Sequence, residues 1–229
     1  MTPNIKLLHL NMFFLEQKDT IHPLLLSDNE HTLLIDAALP KQFNSLKQQL
    51  EQAGSSIAKL DQIIITHQDL DHIGTLPDFA ALRPELPICA HPLDKPYIEG
   101  TKILLKNNVI PEQINMKEYP RAPVNIELID GDILPYFNGI TIIHTPGHTP
   151  GHICIYLKAR KTLIAGDAFF YINEQLVMPS SNLTIDMRQA KESLYKLSSF
   201  DIEEIICYHG GICNNGNAKI RDLIQHSIH

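Results

Sequence analysis

The chain has 229 residues, of which 44% are hydrophobic and 20% are charged, and this ordinary composition excludes a disordered chain. Its 19 basic and 26 acidic side chains give a net charge of −7. No block of Lys or Arg stands out, so nothing indicates a nucleic-acid-binding surface.

Strands and one helix open the chain. Short apolar runs bounded by polar residues or proline predict strands at Ile5–Leu10, Leu24–Ser27 and Thr32–Ile35. Apolar residues then recur every three or four positions in Gln42–Ala53, which predicts a helix. Gly54 is placed to end that helix as a left-handed cap.

A buried strand leads into a polar segment. The β-branched run Ile63–Ile65 predicts a strand buried on both faces, and the chain turns polar at Thr66. Such a change marks the end of a strand, where α/β proteins tend to place sites. Five prolines between Pro77 and Pro96 predict short helices and turns. Tyr97–Pro123 is predicted to be a helical excursion with loops that shape a pocket.

A second group of strands begins near Asn125. The predicted strands are Ile126–Ile129, Ile133–Leu134, Ile140–Ile143, His152–Leu157, Thr162–Ala165 and Ile205–Tyr208. Helices are predicted at Met187–Leu197, with Asp186 or Thr184 as its cap, and at Ala218–Gln225. This order of elements predicts two packed sheets with helices outside, in one domain over residues 1–229.

Metal-capable side chains follow four of the predicted strands. The segment 67–72 reads HQDLDH, and the later segments are TPGHTPGH at 145–152, AGD at 165–167 and HGG at 209–211. Together they offer the following candidate ligands: His67, Asp69, Asp71, His72, His148, Asp167 and His209. Imidazole and carboxylate groups suit borderline divalent metals such as zinc, and this number of ligands suits two ions that share one carboxylate.

These four segments resemble the metallo-β-lactamase superfamily, and their order matches nearly from end to end. The resemblance implies an α+β fold, a four-layer αββα sandwich built from two similar halves that would meet near residues 118–125. It also implies that His67, residue 69 and His148 bind one metal. Asp71, His72 and His209 would bind the other, with Asp167 bridging the two.

One position departs from the family pattern. The family has His where this chain has Asp69, which gives a variant motif, HxDxDH. A carboxylate is a harder, anionic ligand, so zinc is expected but iron or manganese is open, and the first site could be weakly occupied.

The resemblance implies a metal-dependent hydrolase. A hydroxide that bridges the metals would attack a small ester, thioester or lactone, with Asp71 or Asp69 passing a proton to the leaving group. Two alternatives stay open. Flavodiiron proteins of the superfamily carry a carboxylate at the position of Asp69, which favours a di-iron redox protein. A degraded first site favours a non-catalytic sensor of metal or ligand.

Three further residues near the motifs have open roles. Tyr171 follows Asp167 closely, as a Tyr does in the superfamily's lactonases, and is a candidate for substrate binding against the alternative of a core aromatic. His152 is expected to support the ligands rather than bind metal. Asp36 either orients the ligand loops or caps a turn.

The remaining features concern where the protein resides and what it meets there. The four cysteines form no C-x-x-C pair and are too few for a disulfide scaffold. The N-terminal segment lacks the features of a signal peptide, and no apolar run reaches the roughly 18 residues of a membrane span. We expect a cytoplasmic protein with a small-molecule substrate and no nucleic-acid or membrane partner, and a homodimer stays open.

Overall fold

The computed structural model describes residues 2–14, 17–106 and 119–226. The first part of the chain contains, in order, β1 (Asn4–Leu7), β2 (Leu10–Phe14), β3 (Gln17–Ile21), β4 (Leu24–Ser27), β5 (Thr32–Ile35), α1 (Phe43–Gln52), β6 (Gln62–Ile64), α2 (Leu70–Ile73), α3 (Leu76–Leu82), β7 (Ile88–Ala90), α4 (Lys95–Ile98) and β8 (Ile126–Glu127). Six of these strands form one sheet in the order β1-β4-β5-β6-β7-β8, and β2 and β3 form a separate hairpin.

The second part of the chain builds a second sheet of six strands. It contains β9 (Ile133–Leu134), β10 (Ile140–His144), β11 (Ile153–Leu157), β12 (Thr162–Gly166), β13 (Phe170–Ile172), β14 (Gln175–Val177), α5 (Met187–Leu197), β15 (Glu204–Cys207), β16 (Gly211–Asn214) and α6 (Gly216–His226). The spatial order is β16-β15-β12-β11-β10-β9, and β13 pairs with β14 alone.

The two sheets pack face to face. Alternate residues of a strand point to opposite faces, so Leu24 and Leu26 of β4 enter the core between the sheets while Leu25 enters the core on the other side. From the second sheet, Ile142 and Ile155 join the core between the sheets. These strands are apolar at consecutive positions because both of their faces are covered.

Helices cover the outer face of each sheet. Leu46 and Leu50 of α1 share a buried cluster with Leu34 of the first sheet. On the other side, Leu194 of α5 packs in a cluster with Leu163 of the second sheet. The resulting layers are helix, sheet, sheet and helix, which confirms the predicted αββα sandwich.

Most predicted elements lie where the sequence pattern put them. The strands Leu24–Ser27, Thr32–Ile35 and Ile133–Leu134 and the helix Met187–Leu197 have the predicted bounds. The Asp186 carboxylate caps that helix by accepting a hydrogen bond from the Gln189 backbone N–H at 3.0 Å.

Three predictions need correction. The first strand ends at Leu7 rather than Leu10, because the chain leaves the sheet to form the β2–β3 hairpin. Ile126 lies in the first sheet, where β8 pairs with β7, so the two halves meet between Glu127 and Ile133 and not near residues 118–125. Of the predicted excursion Tyr97–Pro123, only the end of α4 is helical within the described residues, and 107–118 lie outside them.

The prediction of a single domain over residues 1–229 stays a prediction. Within the described residues, none of the helices combines the length and apolar character that crossing a bilayer requires.

Candidate metal centre

The candidate ligands lie where strands of both sheets end. His67 follows β6 by three residues, and Asp71 and His72 lie in the short helix α2. From the second sheet, Asp167 comes directly after β12 and His209 lies between β15 and β16. His148 lies in the turn between β10 and β11. Because β5 and β6 are parallel, as are β12 and β15, their carboxyl ends bring these loops to one edge of the sandwich.

The seven predicted ligands converge into two groups at this edge. In the first group, one ligand atom from each of His67, Asp69, His148 and Asp167 lies within 4.8 Å of the others. The second group, Asp71, His72 and His209, meets the same limit.

Asp167 connects the two groups. Its Oδ1 is 3.4 Å from Nε2 of His72, and its Oδ2 is 3.5 Å from Nε2 of His148 and 3.6 Å from Nε2 of His209. Its position between the groups is the one that a bridging ligand needs. Metal ligation by each of these residues stays a prediction.

Unpartnered atoms test whether this set fits metal ions. His67 Nε2, His72 Nε2 and Asp167 Oδ1 are buried in the protein without a hydrogen-bond partner. Buried polar atoms in proteins are normally satisfied, so a cluster of exceptions indicates a missing bound species. Each can offer a lone pair to a metal ion, His72 after it loses its proton, and carboxylates lie beside them, which fits divalent cations.

Carboxylates orient two of the imidazoles. Asp36 Oδ2 is 2.9 Å from Nδ1 of His72, and Asp19 Oδ2 is 2.9 Å from Nδ1 of His209. A carboxylate accepts hydrogen bonds, so each Nδ1–H donates and each Nε2 points into the site, where it can offer a lone pair once it has no proton. Asp36 therefore orients a predicted ligand, which decides between its two expected roles. Its backbone has a φ of 63°, an uncommon conformation that aims the carboxylate at Thr66 and His72.

The Asp94 carboxylate joins two loops that carry predicted ligands. Its buried carboxylate accepts hydrogen bonds from the backbone N–H of Gln68 at 3.0 Å and of Gly151 at 2.8 Å, and from the Thr149 hydroxyl at 2.7 Å. Gln68 lies beside His67 and Thr149 beside His148. One side chain thus holds the HQDLDH loop against the TPGHTPGH loop.

His152 supports Asp167, as expected from sequence. The Asp167 backbone N–H donates to His152 Nε2 at 3.1 Å, so Nδ1 carries the proton and donates to Thr145 Oγ1 at 2.8 Å. Burial holds the pKa of His152 well below its usual range, which keeps the ring neutral. Gly166 makes room for this contact, because a Cβ there would lie 2.9 Å from His152 Nε2.

In the second group, protonated imidazoles balance the negative charge of the carboxylates. Burial opposes a charge on His209, but the carboxylates of Asp167, Asp19 and Asp71 raise its pKa to about 10. Burial lowers the pKa of His72 as well, but Asp36, Asp71 and Asp167 outweigh burial and raise this pKa well above its usual range. Metal ions bind deprotonated imidazole, so they would replace these protons.

The first group contains a lysine that sequence reasoning did not identify. Lys106 is buried, its ammonium forms an ion pair with Asp69, and its Nζ is 2.7 Å from His148 Nε2. Although burial raises the pKa of Asp69, Lys106 and His67 hold it well below its usual range. Burial and then Lys106 lower the pKa of His148 to about 4, so this imidazole is neutral.

Within the described part of the chain, two aromatic residues contact the predicted ligands. The ring centroid of Tyr208 lies 3.8 Å from that of His72, and the second aromatic residue is Phe170. Its ring centroid is 4.7 Å from that of His209. Tyr171 is the next residue of strand β13, and it packs against the core cluster on the outer side of the second sheet. Substrate binding by Tyr171 stays a prediction that this placement does not support.

Known proteins are similar to this chain in sequence and in fold. The family model described as the metallo-beta-lactamase superfamily matches residues 20–209. A probable metallo-hydrolase, YflN, from Bacillus subtilis is 26% identical over 209 residues, which cover 80% of this chain and 77% of the relative. A hydroxyacylglutathione hydrolase from Francisella philomiragia is 25% identical over 190 residues, covering 82% of this chain and 62% of the relative.

A solved structure agrees with the fold. A metallo-beta-lactamase family protein from Thermus thermophilus superposes with a TM-score of 0.78 at 21% identity, covering 97% of this chain and 79% of that one. The family match spans most of the chain and includes all seven predicted ligands, from His67 to His209. The chain belongs to the metallo-beta-lactamase superfamily.

Proposed function

We propose that this protein is a metal-dependent hydrolase of a small thioester, with oxygen esters and lactones as poorer substrates. The observation that carries this proposal is the convergence of unpartnered imidazole nitrogens with three carboxylates at one sheet edge. When bound, a pair of divalent metal ions supplies a water of lowered pKa and stabilises negative charge on the substrate oxygen. His67, Asp69 and His148 would hold one ion, Asp71, His72 and His209 the other, and Asp167 both.

The exposure of these groups defines the direction of substrate approach. The side chains of His67 and His72 have no exposed surface, whereas those of Asp69 and Asp71 are 17% and 16% exposed. The imidazoles of His67 and His72 thus form the floor of the site and the two carboxylates its mouth. A substrate would enter over Asp69 and Asp71, which places its leaving group within their reach.

The ionisation of these carboxylates favours a thioester. Burial raises the pKa of Asp69 and Asp71, but neighbouring cations outweigh burial and the pKa of each is lowered. Ionised carboxylates are weak general acids, so the preferred leaving group is one that departs as an anion. A thiolate does so far more readily than an alkoxide, since the pKa of a thiol is about 8.5. The relative named a hydroxyacylglutathione hydrolase, whose substrate is a thioester, supports the same class.

A matched substrate series tests the proposal. Thioester, oxygen ester and lactone substrates with the same acyl group would be offered to protein stripped by a chelator and then reloaded with Zn²⁺, Mn²⁺ or Fe²⁺. We expect hydrolysis only after metal addition, with the highest kcat/KM for the thioester. Metal-loaded protein that cleaves no member of the series would contradict the proposal.

The role of Asp71 as a proton donor has its own test. In Asp71→Asn, loss of turnover with both ions bound would support proton transfer by this carboxylate. Full turnover with both ions bound would remove that role and leave thiolate departure unassisted. Metal analysis of the variant is required in either case, because Asp71 is also a predicted ligand.

The same preparations separate the two alternative functions. A di-iron redox protein would retain two iron ions and consume oxygen or nitric oxide when a reductant is supplied. A sensor would bind metal without hydrolysing any substrate of the series. Both alternatives remain predictions.

A further inference from the structure

Lys106 places a positive charge among the ligands of the first site. Only 6% of the residue is exposed, and its ammonium contacts Oδ2 of Asp69 and lies 2.7 Å from Nε2 of His148. The same Oδ2 is 3.0 Å from His148 Nε2 and 3.2 Å from His67 Nε2. The lysine therefore contacts two of the three side chains that belong to the first site alone.

We propose that Lys106 is a tethered cation that competes with the metal ion of the first site and lowers the affinity of that site. The first site binds an ion only when Lys106 is displaced. This proposal rests on the metal binding in the proposed function, and it adds a residue of this chain that sets the affinity of one site.

The segment that carries Lys106 is attached to the ligand loop. The Leu105 backbone N–H donates to the side-chain oxygen of Gln68 at 3.1 Å, and the side-chain N–H of Gln68 donates to Asp94 at 3.2 Å. Leu104 is 5% exposed and packs in the core cluster between the first sheet and its helices. These contacts hold the backbone beside the site, so the ammonium position follows from the fold.

In the second site, the cationic partners of the carboxylates are the predicted ligands themselves. Among the residues that the structure describes, the ion pairs of Asp71 and Asp167 are made only with histidines. Lysine nitrogen in an ammonium group has no lone pair to offer, so it must leave Asp69 and His148 before an ion can use those atoms. Competition by a lysine is therefore confined to the first site.

The expected size of the effect follows from the contacts that are lost. Charge-assisted hydrogen bonds to a buried carboxylate are among the stronger ones in proteins. Displacing the ammonium should weaken metal binding at the first site by about 10- to 100-fold. Removing the charge should restore that affinity.

Zinc titration of the chelator-stripped protein by calorimetry, with metal analysis after gel filtration, tests this proposal. We expect the first site to bind zinc about 10- to 100-fold more tightly in Lys106→Met than in wild type. Lys106→Arg, which keeps the charge, should resemble wild type. Lys102→Met is the matched control because Lys102 lies on the same segment, over the ring of Tyr97, outside the site. Asp71→Ala, which removes a ligand of the second site only, identifies the remaining equivalent as that of the first site.

Equal zinc affinity of the first site in Lys106→Met and wild type would overturn the competition. If Lys106→Met does not fold, as judged by circular dichroism, Lys106→Gln takes its place in the same comparison. If no variant binds zinc at these residues, the proposed function fails along with this inference. If zinc binds and the Lys106 variants leave the affinity of the first site unchanged, only the inference fails.

Discussion

Individual carboxylates determine how the imidazoles of the site are presented. Asp36 and Asp19 each accept a hydrogen bond from the Nδ1–H of one imidazole, so that the opposite nitrogen is free for metal. Asp36 is buried, whereas the side chain of Asp19 is 48% exposed. We expect Asp36 to contribute more, because solvent competes for the exposed carboxylate.

Asp36→Asn should weaken metal binding by about 10- to 100-fold, since it removes the charge that orients His72 while keeping the size of the side chain. Zinc affinity measured by competition with a chromophoric chelator checks this. Asp78→Asn is the control, because Asp78 is exposed on α3. Equal zinc affinity in Asp36→Asn and wild type would show that the Asp36–His72 contact does not hold the ligand.

His91 gives the protein a sensitivity to acid. Burial and the stacked ring of His144, at a centroid distance of 4.0 Å, lower the pKa of His91 to about 4, against Asp130 and Glu127. An unfolded imidazole binds its proton near pH 6.5, so below that pH the unfolded chain holds one more proton than the folded chain. The contribution of neutral His91 to the stability of the fold is therefore fully present above about pH 6.5 and is lost as the pH falls towards 4.

His91→Asn should remove this loss, and it retains an acceptor for the Leu93 backbone N–H, which now donates to His91 Nδ1. Between pH 6.5 and 4, the slope of the unfolding free energy against pH should fall by up to about 1.4 kcal/mol per pH unit. Denaturant titrations in the presence of a chelator measure it without interference from metal. His226→Asn, at an exposed position, should keep the wild-type slope, and an unchanged slope in His91→Asn would refute the assignment.

The candidate ligands were easier to predict than the residues that support them. Four short segments rich in His, Asp and Gly indicated the predicted ligands because those residue types are rare together. Asp94 and Lys106 lie in a proline-rich stretch and a loop, where no periodic pattern indicates which side chains turn inward. Asp19 was not predicted because it lies in a hairpin whose pattern was not identified as strands.

At the scale of elements, the site depends on loops held together by buried hydrogen bonds. Asp94 joins the loop after β6 to the loop between β10 and β11, one from each sheet. The carboxylate satisfies backbone donors of both loops, Gln68 and Gly151, which are buried. These hydrogen bonds position His67 and His148 relative to each other.

Asp94→Ala should lower both the free energy of unfolding and the affinity for metal. It leaves two buried backbone N–H groups without an acceptor, at about 1–3 kcal/mol each. Chemical denaturation of the metal-free protein measures the first effect and zinc titration the second. The control is Asp78→Ala on the exposed face of α3, which should stay within about 0.5 kcal/mol of wild type. A metal-free Asp94→Ala as stable as this control would contradict the role given to Asp94.

Elements with a strong periodic pattern were predicted well, and short irregular ones were not. The α5 helix has apolar residues on one face and an Asp cap, and its bounds were predicted correctly. The β13–β14 hairpin was missed because its three-residue strands are too short to show alternation and lie outside both main sheets. The strand β8 was assigned to the wrong sheet, since two residues carry no information about which neighbour they pair with.

At the scale of the whole molecule, the site joins the two halves of the sandwich. His67, Asp71 and His72 come from the first sheet's loops, and Asp167 and His209 from those of the second. Metal ions held between them would therefore connect the halves. Without metal, the site keeps several ionised carboxylates and unpartnered nitrogens in a buried position, which is unfavourable for the folded state.

Removal of metal should thus destabilise the fold as well as abolish hydrolysis. A ligand that binds only the folded state, at a free concentration 100 times its Kd, adds about 2.7 kcal/mol of stability. Thermal unfolding followed by circular dichroism should show a lower midpoint with a chelator and recovery on addition of Zn²⁺. An unfolding midpoint that does not respond to either would indicate that these residues do not bind metal in the folded protein.

The most direct test of the account is a crystal structure of the protein grown with Zn²⁺, with the metal located by anomalous scattering. We predict a zinc ion within about 2.0–2.2 Å of the His72 and His209 Nε2 atoms and of Asp71, with Asp167 as a further ligand. A second ion should be bound by His67, Asp69 and His148. Anomalous density absent from all of these side chains, or present only elsewhere on the protein, would contradict the account.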